Sequence, residues 1–266
     1  MAEYRATFRS YGVEFSILSN DRAILAEASE VASHALLGNV VEIEAYETQH
    51  KLTLRKVKNG IHFKLGSDDH GVTPWPKLAH FFDTCVRLVV AEFAVDKVFI
   101  HCGVVVWKGQ TILFPGDSYS GKTTMVAEFV KRGATYYSDE YAIIDENGDV
   151  HPFVRPLSIR HKTDFSLRHD TPAESLGGTL GRHAVPVDLV FLLQYVRNSR
   201  FRPAKLTAGE ALMHLMPFAI SLRSNPKFTL LLLNKVCDRA NVFKSNRGQS
   251  EKVANKIIDL IDKIDL

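Results

Sequence analysis

The sequence reads Gly116-Asp117-Ser118-Tyr119-Ser120-Gly121-Lys122-Thr123-Thr124 at the point that decides the fold. The first eight residues match G-x-x-x-x-G-K-[ST], the pattern of a phosphate-binding loop. In such a loop, glycines let backbone N–H groups face an anion, and the following helix adds its positive N-terminal end. Lys122 is expected to reach the β- and γ-phosphates, and the Thr123 hydroxyl to bind Mg²⁺. The stretch therefore predicts an ATP site.

The residues on either side of this stretch fit the same interpretation. An apolar strand is predicted over residues 111–114, and a helix over 125–132 that ends at Gly133. A phosphate-binding loop needs a strand before it and a helix after it. The alternative, a surface turn rich in glycine and serine, is less well supported by this context.

Composition sets broad limits on the function. The chain has 266 residues, of which 45% are hydrophobic, and its net charge is +3 from 33 basic and 30 acidic residues. So small an excess of charge does not indicate nucleic-acid or membrane binding. The three cysteines lack metal-ligand spacing, and we find neither a membrane-spanning run nor a signal peptide. These features predict a cytoplasmic protein.

Two domains are predicted. Residues 1–72 form a small α+β subdomain with a strand at 13–18, a helix capped by Asn20 or Asp21, and a hairpin over 52–65. Residues 66–71 are expected to be a loop between the domains, and nothing before residue 73 indicates chemistry. Residues 73–266 are expected to form the nucleotide-binding domain, which opens with a long helix.

The phosphate-binding loop is predicted to follow an antiparallel hairpin. The apolar residues 98–107 are separated from the strand that enters the loop only by Lys108-Gly109. A parallel partner would need a crossover of a dozen residues or more, so these two strands have to pair antiparallel. This differs from the parallel sheet of ordinary Walker A proteins.

Further elements follow the loop helix. A strand at 134–137 is predicted to end in Ser138-Asp139-Glu140, and another covers 187–195. Helices are predicted from a capping box at Thr207, over 228–236 and at the end of the chain. Residues 161–186 are polar and without periodicity, which is typical of a mobile or functional segment such as a lid.

Asp139 and Glu140 are the candidate acids. A phosphate-binding loop needs a carboxylate for Mg²⁺, and these two follow a strand only 17 positions after Lys122. One acid would serve the metal and the other would accept a proton from the attacking hydroxyl. The alternative is a solvated Asp-Glu turn. His101, in the strand paired with the one entering the loop, is either a neighbour of the γ-phosphate or a core histidine.

This combination of residues resembles bacterial HPr serine kinase/phosphorylase. The resemblance rests on the strand around His101, the hairpin, the loop Gly116 to Thr123, and Asp139-Glu140, within about residues 97–160. It implies a phosphoenolpyruvate-carboxykinase-like fold, α/β (α+β) with a mixed sheet. It also implies ATP and Mg²⁺ on Lys122 and Thr123, Asp139 as catalytic base, Glu140 as metal or support residue, His101 as their neighbour, and a possible homo-oligomer.

Two features depart from that family. Its Asp-Asp pair is Asp-Glu here, and its later glutamate-Arg-Gly signature is absent, since Arg155-Pro156 has no glutamate before it. Phosphorolysis, and HPr as the substrate, are therefore not expected. Four arginines are candidate phosphate or substrate clamps, with Arg155 and Arg160 preferred, although each alone is expected to be a surface charge: Arg155, Arg160, Arg202 and Arg247.

Three functions stay open at this stage. The first is an ATP- and Mg²⁺-dependent kinase acting on a hydroxyl of a protein or peptide, with serine preferred. The second is a small-molecule kinase with the same site, and the third is a nucleotide-binding regulator that transfers nothing. The sequence does not separate the two kinases, because it does not disclose the acceptor pocket.

Overall fold

The structure is a computed structural model that describes residues 3–45, 47–117, 120–160 and 168–263. Contacts divide the chain into two units, Met1–Asp96 and Lys97–Leu266. The boundary predicted at residue 73 is therefore too early, because the long helix that follows it buries Leu78, Phe82 and Val86 in the core of the first unit. No helix in these described ranges is long and apolar enough to cross a lipid bilayer.

The first unit is one mixed sheet with two helices. The sheet has the order β3-β1-β2-β4-β5-β6, in which only the β2–β4 pair is parallel. Side chains from both helices pack on the sheet and form its core. The elements are β1 (Tyr4–Ser10), β2 (Val13–Ser19), α1 (Arg22–Ala35), β3 (Val41–Glu42), β4 (His50–Val57), β5 (Gly60–Leu65), β6 (Asp68–Thr73) and α2 (Trp75–Phe93).

The predicted hairpin in this unit is confirmed as β4 and β5, and Asp21 caps α1 by accepting hydrogen bonds from two backbone N–H groups. The loop predicted over residues 66–71 is wrong, since β6 pairs there with β5. Five of the six residues of β6 are exposed, so the strand lacks the apolar alternation by which strands are recognised. The prediction also missed β1.

The second unit contains four α-helices and twelve strands within its described residues. The elements are β7 (Val98–Trp107), β8 (Gln110–Pro115), α3 (Lys122–Val130), β9 (Thr135–Ser138), β10 (Tyr141–Ile144), β11 (Asp149–His151), β12 (Leu157–Arg160), β13 (Arg168–Thr171), β14 (Thr179–Leu180), β15 (Val185–Pro186), β16 (Leu189–Tyr195), β17 (Ala204–Lys205), α4 (Ala208–Leu215), α5 (Pro226–Arg239), β18 (Asn241–Arg247) and α6 (Ser250–Ile261).

The main sheet of this unit is mixed, and apolar side chains cover both of its faces. Its central order is β10-β7-β8-β16-β18, with β8, β16 and β18 parallel to one another. Residues of α3 and α6 pack on one face, and residues of α4 and α5 on the other. The unit is thus an α+β fold with a mixed sheet between helices.

The antiparallel hairpin predicted before residues 116–123 is confirmed. β7 and β8 pair from Cys102 opposite Pro115 to Trp107 opposite Gln110. Lys108 and Gly109 lie between them with φ angles of 50° and 83°. Two adjacent residues with positive φ are typical of a type I′ turn, whose twist matches that of antiparallel strands.

The acidic pair lies beside this hairpin. On the other edge of β7, Ser138 of β9 lies opposite Val104, and Tyr141 of β10 lies opposite His101. Asp139 and Glu140 come between these two pairs. The predicted strand that ends in these acids is therefore confirmed, and it brings them to β7, the hairpin partner of the strand that enters the loop.

Gly103 lets α3 approach β7 closely. A Cβ atom at this position would lie 2.5 Å from Cγ2 of the buried Val126 of α3. We expect Gly103→Ala to lower the free energy of unfolding by about 1–3 kcal/mol, the usual cost of overpacking. Thermal unfolding measures this, with Gly209→Ala as the matched control, since no atom lies within 4 Å of a Cβ there. An unchanged melting temperature for Gly103→Ala would contradict this account of the packing.

The elements that follow β10 agree only in part with those predicted from the sequence. The capping box at Thr207 is confirmed, as are α5 and α6. Residues 168–186 belong to the segment expected to be mobile or functional, and they include the short strands β13, β14 and β15. Residues 161–167 of that segment lie outside the described residues, and its role stays a prediction. β18 was not predicted, because the polar residues at positions 244–247 interrupt the alternation of apolar and polar side chains by which a strand is recognised.

Candidate phosphate-binding site

The candidate phosphate-binding loop, residues 116–123, is held at both of its ends. At its start, the Gly116 N–H donates to the carbonyl oxygen of His101 over 3.2 Å, which ties the loop to β7. At its end, Gly121 has φ 87° and caps the N-terminus of α3. The predicted contacts of Ser118 and Tyr119 lie outside the described residues. The strand before the candidate loop and the helix after it, which such a motif needs, are both present.

Lys122 is buried at the first position of α3. Its Nζ donates to the carbonyl oxygens of Gly116 at 2.7 Å and of Asp117 at 2.8 Å. The amine therefore reaches across the loop from its last residues to its first. An ammonium group in this position can bind an anion held by the loop.

Thr123 is joined to Asp139. The Thr123 hydroxyl donates to Oδ2 of Asp139 over 2.8 Å, and the Tyr136 hydroxyl donates to Oδ1 over 2.9 Å. Tyr136 is fully buried and is the second residue of β9, two positions before the end of that strand. The two hydroxyl groups fix the plane of the carboxylate. Sequence reasoning paired Asp139 with the loop correctly but gave no role to Tyr136.

Burial raises the pKa of Asp139. Hydrogen bonds from Thr123, Tyr136 and the backbone N–H of Ser158 act in the opposite direction but do not cancel the effect. Within the described part of the chain, no lysine or arginine forms an ion pair with this carboxylate. An added cation would therefore stabilise its ionised form.

Glu140 and His101 both lie next to these groups. The backbone carbonyl of Glu140 accepts from the Cys102 N–H at 2.9 Å, and its own N–H donates to the Ser138 hydroxyl. The half-buried ring of His101 packs edge-on against Tyr141 with centroids 6.0 Å apart. His101 thus contacts the start of the loop through its backbone carbonyl group. This contact does not decide whether its side chain is a neighbour of the γ-phosphate or a core histidine.

The two preferred arginines lie in the chain segment after β11. Arg155 is half-buried, and its positive charge acts on Tyr136, whose pKa is raised well above its usual value mainly by burial. Arg160 is the last residue of β12, and its side chain lies outside the described residues. Thr124 is exposed on α3, next to Thr123.

Arg247 is the residue that sequence reasoning misjudged. It was expected to be a surface charge, yet it is only 4% exposed. Its Nη2 donates to the carbonyl oxygen of Ser120 over 2.8 Å, at the end of the phosphate-binding loop. Arg202, by contrast, is exposed as expected. The sequence carried no signal for this contact, because β18, the strand that Arg247 ends, was not predicted. In the structure β18 is parallel to β16 and β8, so its end lies at the same edge of the sheet as the loop.

The donor set suits a hard cation. No cluster of three His, Cys, Asp or Glu side chains that could hold a metal ion occurs among the described residues. Thr123 and Asp139 supply a hydroxyl and a carboxylate oxygen. Mg²⁺ is commonly held by one or two carboxylates together with phosphate oxygens and water, so these residues fit that ion.

Comparisons with known proteins add no evidence about the activity of this chain. No protein-family model matches the chain, and no curated protein matches it. One similar solved structure is the Hpr(Ser) kinase/phosphatase from Coxiella burnetii, with 16% sequence identity, a TM-score of 0.34, and coverage of 62% of this chain and 93% of that one. At this level the likeness carries no argument about activity, which has to rest on the contacts above.

Proposed function

We propose that this protein is a kinase that uses ATP and Mg²⁺ to phosphorylate a hydroxyl group, with a serine of a protein or peptide as the preferred acceptor. The contact between Thr123 and Asp139 carries the proposal. It joins a hydroxyl at the end of the candidate loop to a half-buried carboxylate, and such sites use these two protein groups around Mg²⁺. The phosphoenolpyruvate-carboxykinase-like fold belongs to the same proposal.

The loop would bind the phosphates of ATP. Backbone N–H groups at the end of the loop and the start of α3 supply donors, and the Lys122 ammonium supplies a positive charge. In the structure this ammonium binds two carbonyl oxygens of the loop itself. Both acceptors are uncharged, so a negatively charged phosphate oxygen would be a stronger partner for the Lys122 ammonium group.

Mg²⁺ would be held at Thr123 and Asp139, with Glu140 as support. The ion would neutralise charge that develops on the phosphates during transfer. Tyr136 keeps the Asp139 carboxylate in place on the side away from Thr123. Burial raises the pKa of Asp139, and a bound Mg²⁺ would oppose this shift. The proton acceptor would therefore be whichever of Asp139 and Glu140 does not hold the metal.

Arg155 and Arg160 are proposed to lie on the acceptor side of the site. The segment that carries them follows β11, and the Ser158 N–H between them bonds to Asp139. An acceptor with acidic groups would fit two arginines there.

The test follows the γ-phosphate of Mg-ATP. Wild type and Asp139→Asn are incubated with lysate fractions that contain proteins, peptides or small molecules, and labelled phosphate is counted in each. We expect transfer to one fraction by the wild type and at least a thousandfold slower transfer by the variant, since the site would lose either its proton acceptor or a metal ligand. ATP binding without transfer to any fraction would overturn the kinase in favour of a nucleotide-binding regulator.

A further inference from the structure

Arg247 contacts the phosphate-binding loop from β18. We propose that Arg247 is a positioning residue, which holds the end of the loop in the conformation that binds phosphate. The proposal rests on the proposed function, because it concerns the same loop. It adds a residue that lies outside the loop motif and that does not itself touch the phosphates.

The contacts of Arg247 orient two peptide groups. Its Nη2 donates to the carbonyl oxygen of Ser120 at 2.8 Å and lies 3.4 Å from that of Gly121. In a trans peptide the C=O and the next N–H point in opposite directions. Holding these two carbonyl oxygens therefore turns the N–H groups of Gly121 and Lys122 away from Arg247. Such consecutive N–H groups form the anion site of the motif.

Gly121 is required for this contact. Its φ of 87° lies in the left-handed region, which favours glycine. A Cβ atom on Gly121 would also collide with Nη2 of Arg247. The second glycine of the motif thus leaves room for the guanidinium as well as for the turn.

The guanidinium is itself held in place. Nη1 donates to the carbonyl oxygen of Gly248 at 3.2 Å and to the Ser250 hydroxyl at 3.0 Å, where α6 begins. The ring of Tyr195 lies over it, with 5.3 Å from Cζ to the ring centroid. The Arg247 guanidinium thereby connects the loop to the ends of β16 and β18.

Arg247 also differs from the other well-anchored arginines. Arg87, Arg132 and Arg239 each form an ion pair with a nearby carboxylate. Arg247 has no carboxylate partner among the described residues, and its hydrogen bonds go to carbonyl and hydroxyl oxygens. Its charge is therefore left to strengthen the positive potential at the loop, which favours an anion on the other side.

The test measures binding of inorganic tripolyphosphate without Mg²⁺, so that neither the base nor the metal contributes. Arg247→Lys keeps the positive charge but loses the planar guanidinium group with its several N–H donors. We expect it to weaken the binding of tripolyphosphate and of ATP alike by about 10- to 100-fold. Arg239→Lys is the matched control, because Arg239 also holds a backbone carbonyl, that of Gly148, away from the loop. It should leave both affinities unchanged.

Rescue separates positioning from general stability. For Arg247→Ala, added methylguanidinium should restore part of the tripolyphosphate affinity, whereas a merely destabilised fold would not respond in this way. Wild-type affinity in Arg247→Lys would overturn the proposal, as would equal losses in Arg247→Lys and Arg239→Lys. If either Arg247 variant fails to fold, Ser250→Ala removes one anchor of the guanidinium, and an unchanged affinity there would also overturn it. Failure of the wild type to bind tripolyphosphate would instead remove the proposed function.

Discussion

Lys122→Ala is expected to weaken ATP binding by roughly a hundredfold or more. The variant loses an ammonium group that can form two charge-assisted hydrogen bonds to phosphate oxygens, each worth about 1.5–3 kcal/mol. Its effect should be the same with and without Mg²⁺, because the lysine acts on the phosphates directly. Equilibrium titration with ATP at fixed salt measures the loss.

Lys131→Ala is the control for this variant. Lys131 follows α3 at its C-terminal end, is exposed and pairs with Glu128. Removing it changes the net charge equally but leaves the loop intact, so ATP affinity should stay within about twofold at physiological salt. Wild-type affinity in Lys122→Ala would reject the loop as the phosphate site, and both kinase functions and the regulator would be rejected with it.

Asp139→Asn is expected to stop phosphoryl transfer while raising the stability of the protein without ligands. Transfer needs the carboxylate, whereas binding of ATP without Mg²⁺ needs only the loop and Lys122. Metal-free ATP affinity should therefore stay close to that of the wild type. A parallel loss of metal-free binding would show that the substitution disturbs the loop, contrary to the division of roles described above.

The stability effect follows from the pKa of Asp139. Burial raises this pKa above its unfolded value, so the folded state favours the neutral carboxyl group. The resulting stabilisation is present at pH below the unfolded pKa and is lost as the pH rises through the folded pKa. At pH 7 to 8 the wild type therefore carries a penalty that asparagine removes. We expect the melting temperature of the variant to rise by a few degrees at pH 7 to 8.

Asp145→Asn is expected to change the melting temperature in the opposite direction from Asp139→Asn. Burial tends to raise the pKa of Asp145, but hydrogen bonds from His151 and from the backbone N–H groups of Asn147 and Asp149 hold it below its usual value. Its ionised form therefore stabilises the fold above the unfolded pKa, and the variant should melt at a lower temperature near pH 7. Melting temperatures that shift in the same direction for both variants would contradict this assignment.

Much of the site could be predicted because its parts are close in sequence. The two-residue turn at Lys108-Gly109 required an antiparallel hairpin, and the spacing from Lys122 to Asp139 allowed only one helix and one short strand between them. Local geometry therefore brought the acid to the loop, as the contact of Thr123 with Asp139 shows. Which of Asp139 and Glu140 accepts a proton stays a prediction.

Other parts depend on contacts between distant segments. Arg247 reaches Ser120 across 127 positions, and no local pattern distinguishes it from the exposed Arg202. The exposed strand β6 has no apolar alternation, and Tyr136 has the appearance of an ordinary core aromatic residue until its hydroxyl is placed against Asp139. Such features follow from the tertiary fold, so a single sequence does not contain a readable signal for them.

The central claim is that Gly116 to Thr123 binds the phosphates of ATP with Asp139 beside the metal. The most direct measurement is the dissociation constant of ATP for the wild-type chain with and without Mg²⁺, compared with Asp139→Asn. The account predicts that the wild type binds ATP, that Mg²⁺ tightens this binding, and that the variant loses the tightening. Absence of ATP binding by the wild type would contradict the claim, as would an equal effect of Mg²⁺ on both proteins.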